Sequence, residues 1–180
     1  MKKLMKKALV GILAATMMFG SVCTAYAATG SATEAPAPTK QESVKADNGT
    51  KVNTSSNGTA TVTAVKKTTK KSVSVASKVT VNGVSYTVTK IGAKTFANAK
   101  KATKVTLPAT ITEIKAKAFT GAKALKTIKI NSKKVTVSKA AFKGVNTKKM
   151  TIQLPAKATK AEKKALMKAF QKAGFKGTFK

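Results

Sequence analysis

Side chains able to do chemistry are few in this chain, and of narrow kinds. There are five carboxylates (Glu34, Glu42, Asp47, Glu113 and Glu162), one thiol at Cys23 and no histidine. The usual general bases and nucleophiles are therefore scarce or missing. Glu113 and Glu162 are the only acids beyond residue 58. They stand far apart in sequence, and Glu162 has the spacing of a helix-capping residue, so a pair of cooperating carboxylates is not expected. Metal binding lacks its donor sets, and no glycine-rich phosphate loop is present. The sequence predicts a protein that is not an enzyme and uses neither a cofactor nor a metal.

Lysine is the one chemical group in abundance. All 36 basic residues are lysines, with no arginine and no tryptophan. Such a charge attracts anionic polymers: wall polymers, acidic polysaccharide, anionic lipid or free nucleic acid. Lysine is a mobile point charge without the rigid fork of arginine, so specific nucleic-acid recognition is not expected. A solubilising charged coat is the other reading of the same residues.

The elements that must position these groups come from an internal repeat. Phe96, Phe119 and Phe142 recur at intervals of 23, and Ile91, Ile114 and Val137 keep that interval five residues ahead of them. Val105 and Leu107 become Ile128 and Ile130 one period later, and Ile152 and Leu154 echo them again. Val73 and Val75 begin an earlier copy, lengthened by nine residues that read as a hairpin: Val79-Thr80-Val81, Asn82-Gly83, Val84-Ser85-Tyr86. Asn-Gly supplies the two positive-φ residues of a tight type I′ turn. Turns of the repeat are expected to begin near Ser72, Ala102, Leu125 and Lys148.

At these residues the chain resembles the BspA-type leucine-rich repeat family. The clearest copy runs Val105-Thr106-Leu107-Pro108-Ala109-Thr110-Ile111-Thr112-Glu113-Ile114 and leads to Ala118-Phe119. Asn131 replaces proline in the third turn, and alanine fills several aliphatic positions. The resemblance implies a β-rich α/β solenoid: a short right-handed leucine-rich-repeat stack with an inserted N-terminal β-hairpin and a C-terminal capping helix. It also implies extracellular adhesion or ligand binding.

A single turn cannot bury its own apolar face, so neighbouring turns must stack and the phenylalanines should form an internal column. Thr159 and Glu162 form a capping box for a closing helix at about 160–173. Ala161, Ala165, Leu166, Ala169, Phe170 and Ala173 give that helix one apolar face, and Phe175 and Phe179 are expected to complete the cap. Tyr86 is expected to be exposed on the hairpin. The candidate binding face is the outward side of the strands: Ser74, Thr106, Lys129 and Gln153, extended by Lys104, Thr127 and Thr151.

The first 27 residues read as a secretory signal peptide. Lys2, Lys3, Lys6 and Lys7 precede the uncharged run Ala8 to Val22, and Ala25-Tyr26-Ala27 offers a cleavage site. The run is shorter than the roughly 20 residues that span a bilayer. A retained membrane helix and a lipid anchor on Cys23 are the alternatives. Cleavage leaves 32 lysines against five acids and no transmembrane segment. Residues 28–58 are rich in Ala, Thr, Ser, Asn and Gly, carry no net charge and read as a disordered spacer. Within them Asn48-Gly49-Thr50 and Asn57-Gly58-Thr59 match a glycosylation pattern. Residues 59–180 then form the solenoid and hold the excess charge. Expected partners are an extracellular protein or an anionic envelope or matrix polymer. The C-terminal helix, amphipathic and lysine-rich, could alternatively be membrane-active.

Overall fold

The computed structural model describes residues 36–180. The signal peptide expected over 1–27, Cys23 with it, and residues 28–35 of the expected spacer lie outside the described residues. Among the described residues twelve strands, one α-helix and one 3₁₀ turn follow one another: β1 (Gln41–Lys45), β2 (Lys51–Thr54), β3 (Thr59–Ala64), β4 (Ser72–Ser74), β5 (Lys78–Val81), β6 (Val84–Ile91), β7 (Lys104–Leu107), β8 (Glu113–Ile114), β9 (Thr127–Ile130), β10 (Thr136–Val137), the 3₁₀ turn Thr147–Lys149, β11 (Thr151–Gln153), α1 (Lys160–Lys172) and β12 (Thr178–Phe179). Among the described residues no helix is long and apolar enough to cross a membrane.

Two sheets divide these strands. One runs β1-β2-β3-β6-β8-β10, with β5 paired to β6, and the other runs β12-β11-β9-β7-β4. Every pairing in the second sheet is parallel, as it must be when each strand belongs to a successive turn of the same chain path. Its register sets Val73, Val105, Ile128, Ile152 and Phe179 side by side. In the first sheet Val62, Ile91, Ile114 and Val137 are likewise aligned. β-Branched and aliphatic residues at alternate positions turn one face of each short strand inward, which is what makes strands of these segments.

The core lies between the sheets. Ile91, Phe96, Val105, Leu107, Ile114, Phe119, Ile128, Ile130, Phe142 and Ile152 are buried, whereas Val137 and Leu154 are half-buried. The last two belong to the final turns, where fewer neighbours remain to cover them. Phe96 and Phe119 stack with centroids 5.2 Å apart, and Phe119 and Phe142 at 5.0 Å, with ring planes within 7° and 2° of parallel. Two residues ahead of each ring, Lys94, Lys117 and Ala140 take left-handed conformations with φ of 55°, 59° and 58°. That bend lets the Lys94 N–H donate to Lys117 O and the Lys117 N–H donate to Ala140 O, tying one turn to the next. Gly121 (φ 94°) fills a position where a Cβ would approach Ala97 Cα to 3.0 Å.

Near its end the column changes character. Phe142 meets Phe170 of α1 and Phe175 at tilted angles, and Phe175 meets Phe179 edge-on. The helix starts on a capping box: the Glu162 N–H donates to Thr159 Oγ1, and the Thr159 N–H donates to Glu162 Oε2. Leu166, Phe170 and Ala173 are buried, but Ala161 and Ala165, expected on the apolar face, are exposed. They lie on the first turns of α1, where they line an open groove with Lys133, Lys134 and Thr136.

Two expectations are corrected at the N-terminal end. Residues 41–54 of the expected spacer are strands β1 and β2, which join β3 as an antiparallel meander on the first sheet. The two Asn-Gly-Thr sequences are the turns of that meander. Asn48 Oδ1 accepts from the Thr50 N–H and Asn57 Oδ1 from the Thr59 N–H, while Gly49 and Gly58 take positive φ. Tyr86 is fully buried rather than exposed, because the segment before β1 crosses it and the Thr39 N–H donates to its hydroxyl at 2.9 Å. Beyond the meander the chain changes sheets, β3 lying in the first and β4 in the second.

The nine-residue expansion is the antiparallel pair β5–β6, with Val81 opposite Val84 across Asn82 (φ 51°) and Gly83 (φ 79°). β6 is long enough to serve twice on one side. Its first half pairs with β5 and its last two residues with β8.

Candidate functional site

Strand alternation decides which side chains leave the core. In the second sheet the inward row is Val73, Val105, Ile128 and Ile152, so its flanking residues project to the other side. One outward row is Ser72, Lys104, Thr127, Thr151 and Thr178 in register, and the next is Ser74, Thr106, Lys129 and Gln153. All seven residues expected to form a binding face, Ser74, Lys104, Thr106, Thr127, Lys129, Thr151 and Gln153, therefore share one surface. Ser74, Lys104 and Lys129 are exposed, and Thr106, Thr127, Thr151 and Gln153 are half-buried.

Sequence reasoning missed the two ends of the longer row. Ser72 begins it and Thr178 of β12 finishes it. A signal for β12 was present: Thr178-Phe179 repeats the Thr-aliphatic pairs Thr127-Ile128 and Thr151-Ile152, with which it aligns. Neither row contains a carboxylate, so Lys104 and Lys129 offer a cationic, hydroxyl-lined strip. Successive rungs lie about 4.8 Å apart.

Glu113 and Glu162 are engaged elsewhere. Glu113 lies on the first sheet, where its carboxylate is 2.9 Å from Lys90 Nζ, the one salt bridge among the described residues. Glu162 is held by the N-terminus of α1, and the hydrogen bond from the Thr159 backbone, aided by the nearby positive charge of Lys133, keeps its carboxyl below the ordinary range. The Thr39 backbone likewise holds the Tyr86 hydroxyl below the usual phenol range. Among the described residues no three of His, Cys, Asp or Glu gather where they could hold a metal ion. The surface can thus offer hydrogen bonds and positive charge, but no paired acid and base.

Two solved structures are similar to this chain, the first of them in fold. A leucine-rich repeat protein from Bacteroides capillosus is 24% identical, over 68% of this chain and 86% of its own length, with a TM-score of 0.51. A leucine-rich cell surface protein from Faecalibacterium prausnitzii is 23% identical, over 71% of this chain and 39% of its own length, with a TM-score of 0.48. This chain thus spans well under half of the second protein. Among curated proteins none matches the sequence. The family model described as the BspA type leucine-rich repeat region matches residues 71–173 in six copies. That span holds the stacked rings of Phe96, Phe119 and Phe142 and the strands β4 to β11, and it is more than half of the sequence. The chain belongs to the BspA-type leucine-rich repeat family.

Proposed function

We propose that this protein is an exported, non-enzymatic interaction module that binds an extracellular partner through the outward face of β4, β7, β9 and β11. One observation carries the reading: a stack of short parallel strands aligns Ser74, Thr106, Lys129 and Gln153 in one row and Lys104, Thr127 and Thr151 in the next. Side chains at a fixed spacing on a rigid ladder are the usual binding surface of solenoids. The lysine-led N-terminus and Ala25-Tyr26-Ala27 support export to the cell surface or medium. α1, with Phe170 set against Phe142, serves as the cap that closes the stack.

Size sets the strength of binding. Four strands of about three residues make a patch of roughly 10 by 20 Å, below the roughly 800 Å² per partner of a stable interface. One copy binds weakly, and firm attachment needs many copies on a surface or added charge.

The charge supports a second reading, electrostatic attachment to anionic envelope polymers. Among the described residues only Lys90 is salt-bridged, and most other lysines are exposed. Capture of the full chain by envelope fractions and by matrix proteins, at low and at high salt, separates the two. Binding to one protein that persists at high salt supports the first reading. Partner-tolerant binding that collapses with salt supports the second, because exposed charges are screened within about 8–10 Å at ordinary ionic strength.

A further inference from the structure

The two sheets do not end together. Past β3 the first sheet continues with β2 and β1, while the second sheet stops at β4, whose only strand partner among the described residues is β7. Where a further strand of the second sheet would lie there is instead a cleft of about 510 Å³. Its floor is apolar: Val62, Val65, Val73, Val75 and Val79 line it. Its rim carries Lys66, Lys67 and Lys70, all exposed, and no carboxylate lines it.

The backbone of β4 is poised toward that cleft. The Val75 N–H donates to Thr106 O, and Lys71 O accepts from the Thr103 and Lys104 N–H groups, so the odd-numbered residues bond to β7. In a parallel ladder alternate residues turn their N–H and C=O to opposite sides. Those of Ser72 and Ser74 therefore point away from β7, and among the described residues no other backbone segment bonds to them.

We infer that this edge is a docking site for an extended peptide strand of alternating apolar and acidic residues, distinct from the outward face of the sheet. Main-chain bonds to Ser72 and Ser74 would add it to the sheet as a sixth strand. Its apolar side chains would meet the valines, and its carboxylates would meet Lys66, Lys67 and Lys70. Strand addition of this kind takes affinity from main-chain hydrogen bonds and specificity from alternate side-chain positions. The same lysines disfavour a second copy of this chain, since lysine on an open edge opposes pairing between like edges.

The test uses the full chain and a capped seven-residue peptide alternating glutamate and valine. Titration followed by amide resonances and by calorimetry should show saturable binding, with the Ser72 and Ser74 amide protons exchanging more slowly in the complex. Ser74→Pro removes an N–H that faces the cleft and spares the bonds to β7, since proline is tolerated on such an edge. It should weaken the peptide about tenfold. The peptide with lysine in place of glutamate should not bind, and polyglutamate of equal length should bind more weakly and without slowing those amides. The inference is overturned if the glutamate–valine peptide fails to bind at millimolar concentration. It is equally overturned if polyglutamate binds as well, or if the Ser72 and Ser74 amides exchange at their free rate in the complex. The last readout needs no variant, so it stands even if Ser74→Pro does not fold. Loss of the outward face by substitution of Lys129 and Gln153 leaves this binding intact, which keeps the two sites distinguishable.

Discussion

The rings of Phe119 and Phe142 lie 5.0 Å apart and within 2° of parallel, although 23 residues separate them in the chain. That distance nearly equals the spacing of about 4.8 Å between hydrogen-bonded strands. The ring column and the two strand ladders thus advance together, one step per turn of the repeat. Such coupling makes each turn dependent on its neighbours, and it keeps the outward rows of the second sheet in register.

Phe119 has a stacked ring on both sides. Phe119→Ala should cost about 3–5 kcal/mol, the range for removing a large buried ring. Phe179→Ala, at a half-buried terminal position, should cost clearly less. Urea unfolding of the two variants checks the order, and a larger loss at Phe179 would contradict it.

Ala140 holds a φ of 58° with no side-chain bond to support it. A left-handed residue other than glycine costs roughly 1–2 kcal/mol, and asparagine tolerates that conformation better. Ala140→Asn should therefore raise the melting temperature, and Ala140→Val should lower it, as thermal unfolding would show.

Tyr86 links the segment before β1 to the stack. Tyr86→Phe leaves the Thr39 N–H without its acceptor, at a cost of about 0.5–1.5 kcal/mol because that N–H lies near the surface. A chain beginning at Thr59 uncovers the same ring and removes β1 and β2, so it should be less stable than the full chain. Equal denaturation midpoints would show that the residues before Thr59 are dispensable to the fold.

The Glu162 carboxyl is held below its ordinary value of 4.5 in the folded protein, chiefly by the Thr159 N–H. A depressed carboxyl stabilises the fold above its unfolded value, and that contribution fades as pH falls through the lower, folded value. Thr159→Ala should cost about 1 kcal/mol at neutral pH. The gap between the wild type and Glu162→Gln should narrow as pH drops below about 4.5. Denaturation midpoints measured across that pH range test the sign.

How much of this was legible follows from where the sequence carries periodic signal. The 23-residue spacing of the phenylalanines located the column, and the Val-x-Leu pairs located β7, β9 and β11, because period and alternation are local properties. The N-terminal meander was hidden by composition, since Thr, Ser and Asn dominate residues 41–58. Its turn chemistry was nonetheless in view. Asn48-Gly49 and Asn57-Gly58 carry the same hairpin signal as Asn82-Gly83, and all three prove to be turns with positive-φ glycines. The burial of Tyr86 could not be read, because it depends on Thr39, 47 residues away. The free edge of β4 was invisible for a related reason: it arises from one sheet having strands that the other lacks.

The most direct test of the binding face compares equal losses of charge on and off it. The pair Lys129→Ser and Gln153→Ser removes one lysine from the outward row. Lys168→Ser removes one exposed lysine from α1. With any captured extracellular partner, the account predicts that the first change lowers affinity at ordinary salt while the second leaves it nearly unchanged. Equal effects from both would mean that the lysines act only through net charge and that the aligned rows of the second sheet have no part in recognition.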